Sequence, residues 1–217
     1  MKRLSILAAA LALAASANAA TISFSDSFGA AATNWNQNLT LQQFDSSLGT
    51  LNSVTFNYGG TVSSIFRIES LDAAPATVSA NTNGSLIFGG PIGNTLTATG
   101  STTQNVTAFD GVIDFGGTSG AIIGPVSGSD SDTLSILAGL AAYIGAGTFS
   151  INVQANGLSG ANGAGNLISQ INTEALANIQ VVYDYTVRPN QVPEPGSLAL
   201  VGLALAGIGF GARRRKA

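Results

Sequence analysis

Alternation of apolar and polar residues is the sequence feature that most constrains the fold. Ile179, Val181, Tyr183, Tyr185 and Val187 occupy every second position, which makes one face of an extended strand apolar. Shorter runs with the same period begin at Ile22, Leu39, Val54 and Phe149. Clusters of Gly, Asn, Ser and Asp separate these runs and are typical of tight turns. The pattern therefore predicts an all-β domain, a two-sheet sandwich of jelly-roll-like type.

Two stretches do not follow this alternation clearly. The segment 133–144 is apolar without a clear period, and it predicts either a short helix or a buried loop. The segment 167–179 contains Glu174-Ala175-Leu176-Ala177, which are good helix formers, but its neighbours have strand character. A helix and an extended arm both remain open for this second stretch.

The first 19 residues have the organisation of a secretory signal peptide. Lys2 and Arg3 precede an apolar run over 4–15, and Ala17 and Ala19 form a small-x-small cleavage site. We expect the secretion machinery to recognise this segment and signal peptidase to cleave after Ala19. An uncleaved N-terminal anchor is the alternative.

A second apolar segment lies near the C-terminal end. Residues 197–212 carry no charge, and they precede four consecutive cations, Arg213, Arg214, Arg215 and Lys216. A membrane-spanning helix usually needs ~20 apolar residues, so this run predicts a single, rather short transmembrane helix. Clustered cations stay on the cytoplasmic side of the membrane, which places the preceding chain outside the cytoplasm.

The residues in front of this helix resemble a known sorting signal. Pro193, Glu194 and Pro195, followed by an apolar helix and a terminal cluster of arginines, closely resemble the PEP-CTERM signal of Gram-negative bacteria. The resemblance implies that an exosortase, a membrane-embedded transpeptidase-like enzyme, recognises the Pro-Glu-Pro triplet as its substrate and removes the tail. It also implies a final location at the cell surface or in the extracellular polysaccharide matrix of a biofilm. An ordinary C-terminal anchor behind a proline-rich linker is the alternative.

Four motifs follow one another between the two terminal segments. They are residues 44–51 (FDSSLGTL) with 53–55 (SVT) directly after them, 109–111 (FDG), 143–148 (YIGAGT) and 182–186 (VYDYT). Their order, rather than any one of them, resembles the choice-of-anchor E domain, and the resemblance spans roughly residues 22–188. Within the first motif, we expect Phe44 and Leu48 to fill one end of the sandwich, and Asp45 and Ser46 to cap a turn. The predicted organisation is a signal peptide over 1–19, a β domain over 20–190 and a sorting and anchor segment over 191–217.

Composition excludes several classes of function. The chain contains no Cys and no His, which removes thiol chemistry, disulfides, zinc sites and the usual general base. Residues 20–192 carry ten acidic side chains against Arg67 and Arg188, a net charge of −8. Such a surface repels phosphate backbones, so nucleic-acid binding is not expected. We expect no catalytic residues, no metal and no cofactor.

Three features of the body could still carry chemistry. Asp110 and Asp114 could form a carboxylate pair of a glycosidase, although Asp110-Gly111 is a common turn. Asp130 and Asp132, in what the composition predicts to be a Gly/Ser loop, could bind calcium or lie in a solvated turn. Trp35, flanked by two asparagines, could stack on a sugar or close an end of the sandwich.

The sequence thus predicts a non-enzymatic, exported surface or matrix protein with an exosortase as its processing partner. It is held in the membrane by its C-terminal helix before processing and is associated with exopolysaccharide afterwards. A carbohydrate-binding module anchored at the cell envelope is the main alternative, and exposed aromatic side chains on one sheet face would favour it. A glycan hydrolase is a more distant one.

Overall fold

The computed structural model describes residues 19–188, and these form two antiparallel sheets, which confirms the all-β prediction. The strands are β1 (Ala19–Ala32), β2 (Trp35–Gln42), β3 (Gly49–Ser70), β4 (Ala76–Phe88), β5 (Asn94–Val106), β6 (Gly120–Ile136), β7 (Thr148–Gly157), β8 (Gly160–Asn162) and β9 (Leu167–Val187). The helical part of the described chain is one 3-10 turn at Leu140–Tyr143.

The strands pair in a nested arrangement. Antiparallel pairs join β1 to β9, β2 to β7, β3 to β6 and β4 to β5, so that the chain resembles a long hairpin whose turn lies between β4 and β5. Folding this hairpin over produces sheet A, with the order β1-β9-β3-β6, and sheet B, with the order β2-β7-β4-β5. The short strand β8 also pairs with β4. β1 and β6 are therefore the edges of sheet A, and β2 and β5 are edges of sheet B.

The apolar faces of the two sheets form the core. The alternation predicted for the last strand is confirmed, because Ile179, Val181 and Tyr183 of β9 are buried. Tyr183 packs against Phe44 with ring centroids 5.7 Å apart, and its hydroxyl donates to the carbonyl of Gln42 at 2.7 Å. A second, smaller cluster fills the other end of the sandwich. It contains Phe66, Ile68, Val78, Ala80, Val106, Ile123 and Val126.

The two ambiguous stretches adopt different structures. Residues 133–136 continue β6, and the 3-10 turn that follows buries Tyr143 against Phe56 and Phe149. The stretch 167–179 is extended throughout as part of β9, so its helical alternative is wrong. Ala175 and Ala177 lie in the core with β9 between β1 and β3, and this packing overrides the helix propensity of the local sequence.

On each open side of the sandwich, an aspartate side chain of sheet A accepts a backbone hydrogen bond from sheet B. Asp26 of β1 accepts the backbone N–H of Thr40 in β2 at 2.7 Å, and Asp130 of β6 accepts that of Thr97 in β5 at 3.0 Å. Each contact thus joins an edge strand of sheet A to an edge strand of sheet B. Inward-pointing charges on edge strands also hinder pairing with other chains. Both open sides of the sandwich are protected in this way.

Candidate functional site

The residues predicted to direct export and sorting lie almost entirely outside the described part of the chain. This applies to Ala17 of the cleavage site, to Pro193, Glu194 and Pro195 of the sorting signal, and to the cations at 213–216. Ala19 is described, and it begins β1 opposite Thr186 of β9. The start of the body and the strand that precedes the sorting segment are therefore neighbours at one end of sheet A.

The predicted transmembrane helix over 197–212 also lies outside the described residues. Across residues 19–188, no helix has the length and apolar character needed to cross a membrane. Signal peptide, anchor helix and cleavage site stay predictions.

A buried carboxylate organises the loop between β5 and β6. Glu69 of β3 is fully buried, and its two oxygens accept the N–H of Phe115 at 2.8 Å and the hydroxyl of Ser119 at 2.5 Å. A Cβ atom at Gly120 would lie 2.5 Å from the same carboxylate. The loop is thus folded tightly over Glu69. Sequence analysis did not single out this residue, because nothing near it in the sequence indicates the returning loop.

Asp110 and Asp114, the possible glycosidase pair, lie in the same loop and hold its turns. Asp110 accepts the N–H groups of Val112 and Thr118, at 3.1 and 3.2 Å, and Asp114 accepts that of Gly116 at 2.8 Å. The hydrogen bond from Val112, followed by that from Thr118, lowers the pKa of Asp110 below its ordinary value. A carboxyl group with a lowered pKa is a poor general acid, because it is ionised at neutral pH. Asp110 and Asp114 thus act as acceptors within the turns of the loop, as the alternative to a glycosidase pair predicts.

Asp130 and Asp132, the possible calcium ligands, lie within strand β6, so the predicted Gly/Ser loop is wrong. Pairing of β6 with β3 supplies backbone partners that the sequence alone does not reveal. Asp132 accepts the hydroxyl of Tyr58 at 3.2 Å and the amide of Asn94 at 2.9 Å. Among residues 19–188, no group of three or more acidic side chains is arranged to hold a metal ion.

Trp35 packs into the sandwich. Its ring lies edge-on to Phe28, with centroids 4.8 Å apart, and its indole N–H donates to the carbonyl of Ala175 at 3.2 Å. The other described aromatic side chains are buried or half-buried except Phe109, which is 36% exposed. The described residues therefore present no cluster of exposed aromatic rings on a sheet face.

The first motif of the choice-of-anchor E resemblance behaves as predicted in part. Phe44 is fully buried, and Asp45 accepts the N–H of Ser47 at 2.8 Å, which lowers the pKa of this aspartate. Leu48, expected to help fill the end of the sandwich, is instead 37% exposed. The segment turns outward after Asp45 and re-enters the sheet at Gly49, where the backbone of β9 approaches closely.

Comparison with known families gives a match in the tail of the chain. A family model described as the PEP-CTERM protein-sorting motif matches residues 191–216. The chain carries a PEP-CTERM sorting motif. This motif supports an exported, envelope-sorted protein that is processed by an exosortase, as the resemblance implied. It begins four residues after Val187, the last residue of β9.

A search among curated proteins finds no match. Among solved structures, the VP2 subviral particle of infectious bursal disease virus is 12% identical, with a TM-score of 0.20, over 87% of this chain and 49% of the viral chain. The T13 particle of that virus is 13% identical, with a TM-score of 0.15, over 88% and 47% of the respective chains. The chain spans about half the length of these viral chains.

Proposed function

We propose that this protein is a non-enzymatic component of the cell surface or of the extracellular polysaccharide matrix of a Gram-negative bacterium. The PEP-CTERM motif at 191–216 is the observation that carries the proposal. The carboxylates most suited to chemistry are occupied by structural hydrogen bonds, which supports a binding or structural role rather than catalysis.

The proposed sequence of events uses both ends of the chain. The secretion machinery exports the protein through residues 1–19 and signal peptidase cleaves after Ala19. The helix over 197–212 then holds the protein in the membrane, with Arg213–Lys216 on the cytoplasmic side. An exosortase recognises Pro193, Glu194 and Pro195, removes the tail and transfers the body to the envelope or matrix.

We assign the body to the choice-of-anchor E type and its fold to the jelly-roll class. Nested pairing of β1 with β9, β2 with β7, β3 with β6 and β4 with β5 supports the second assignment, because a jelly roll is a double sheet made by folding such a hairpin. Inward-pointing Asp26 and Asp130 protect the sheet edges from pairing with other chains.

Intact mass of the protein from its host tests the sorting proposal. Wild-type protein should lack residues 1–19 and the tail beyond the Pro-Glu-Pro triplet, and Glu194→Ala should retain the tail in the membrane fraction. Glu174→Ala is the matched control, since Glu174 is an exposed acid of β9, and this variant should be processed normally. If wild-type protein keeps its tail in the envelope at steady state, exosortase processing is wrong.

A further inference from the structure

Arg67 is an unusual charge on the surface of this domain. The described residues contain two cations, Arg67 and Arg188, within a strongly acidic body. The guanidinium group of Arg67 is exposed, and it forms no ion pair or hydrogen bond with any residue of 19–188. The nearest acid along the same strand face, Glu69, is buried and already accepts two hydrogen bonds from the β5–β6 loop. Arg67 therefore offers free donors for an anionic ligand.

A shallow groove of about 420 Å³ surrounds this cation on sheet A. Its other walls are Ile65, Gln170, Ile171 and Asn172. The planar guanidinium group can donate two parallel hydrogen bonds to a carboxylate, and the amides can both donate to and accept from hydroxyl groups. The exposed side chain of Ile65 supplies an apolar surface for C–H groups. This combination suits a sugar that carries a carboxylate.

Polar side chains continue from the groove along β9. Gln170, Asn172, Asn178 and Gln180 are all exposed and lie on one face, since the alternate residues Ala175, Ala177 and Ile179 are buried. Two residues of a strand span ~7 Å, so the row from Asn172 to Asn178 covers ~20 Å. It ends at a second depression of about 570 Å³, whose lining includes the amides of Asn57, Asn178 and Gln180 and the acidic Asp132.

The charges along this row limit the ligand further. Glu174 lies between the two depressions, and the amide of Asn172 approaches its carboxylate at 3.5 Å. A densely charged polyanion would be repelled there and by the acidic body as a whole. The row therefore fits a polymer whose carboxylates are separated by neutral sugars, with one carboxylate at Arg67 and neutral sugars beside Glu174 and Asp132.

From these observations we infer that the outer face of sheet A along β9 binds a linear, sparsely carboxylated polysaccharide, with Arg67 holding a carboxylate. This inference rests on the proposed matrix location and specifies the matrix component. It assigns no role to the tail, so binding and sorting can fail independently.

Gellan is a suitable probe, because its repeat carries a single carboxylate among neutral sugars, and carboxyl-reduced gellan is its neutral counterpart. Processed protein recovered from the host should bind gellan more tightly than the reduced polymer. Arg67→Gln should weaken gellan binding about tenfold or more, as expected for a hydrogen bond between charged groups, and should no longer distinguish the two polymers. Arg188→Gln, which removes the other described cation, should bind as the wild type does.

Three results would overturn the inference: no gellan binding by the wild type, equal binding by Arg67→Gln, or an Arg67→Gln variant that still prefers the carboxylated polymer. Thermal unfolding of the variants establishes that they are folded, and the intact mass of the same preparations reports sorting. Absent binding with normal tail removal rejects the polysaccharide site alone, whereas a retained tail with normal binding rejects the sorting proposal alone.

Discussion

Replacing Glu69 by alanine should destabilise the domain because it removes the acceptor of two donors that have little access to water. The N–H of Phe115 and the hydroxyl of the buried Ser119 both end on this carboxylate. Leaving a buried donor unsatisfied costs ~1–3 kcal/mol, so the two together should lower the free energy of unfolding by ~2–6 kcal/mol. Packing lost around the deleted side chain adds to this cost.

Glu69→Gln separates the hydrogen bonds from the packing. Glutamine has nearly the same shape, but its amide can accept from one of the two donors while its NH₂ group faces the other. Because glutamine keeps one of the two hydrogen bonds and most of the packing, we expect ~1–2 kcal/mol of destabilisation, clearly less than for alanine. Urea unfolding followed by the fluorescence of Trp35, the sole tryptophan, measures both values.

Proteolysis provides a second readout of the same prediction. The loop that Glu69 holds exposes Phe109, Val112 and Ile113. If the loop loosens, chymotrypsin should cut near Phe109 faster in the alanine variant than in the glutamine variant or the wild type. If alanine costs no more than glutamine, or if both variants unfold within about 0.5 kcal/mol of the wild type, the carboxylate does not organise the loop as described.

Two further substitutions test the edge contact and the buried phenol. Asp130→Ala removes the acceptor of the Thr97 N–H, so the free energy of unfolding in urea should fall by ~1 kcal/mol. The exposed edge should also increase self-association, which sedimentation measures. Unchanged self-association would contradict the protective role of Asp130. Burial, then the neighbouring Tyr143, raises the pKa of Tyr183. The contribution of the neutral Tyr183 phenol to the stability of the domain is therefore complete below the ordinary tyrosine pKa of ~10 and is lost as the pH rises beyond it. Tyr183→Phe, which loses the hydrogen bond to Gln42, should cost ~1 kcal/mol at neutral pH and show a weaker alkaline loss of stability; an unchanged pH dependence would refute this cause.

The strand faces could be predicted from sequence because alternation is a local signal. Ile179, Val181 and Tyr183 are buried as their spacing indicates. The strand containing Asp130 could not be predicted in the same way, since Gly, Ser and Asp have low strand propensity. The partner strand β3, about 70 residues away in the sequence, supplies the backbone pairing that makes this segment a strand, with Gly60 opposite Asp130.

The candidate surface on sheet A shows the same limit. Arg67 stands out in the sequence as one of two cations in the body. Its neighbours in the groove, Gln170 and Asn172, come from the last strand, and no local pattern connects them with β3. Likewise, the loop that donates hydrogen bonds to Glu69 lies between β5 and β6, far from Glu69 in the sequence. Long-range pairing decides both sites, whereas the sorting motif is readable because it is contiguous.

Nested strand pairing also sets the order in which the domain can be completed. During export, residues emerge from the N-terminal end first, so β1 reaches the far side of the membrane long before β9, its only partner in sheet A. β3 also lacks one of its two neighbours, β9, until the last strand has emerged. The last strand to cross is the one directly followed by the PEP-CTERM motif. Sheet A can therefore be completed only once β9, the strand nearest to the sorting motif, has emerged.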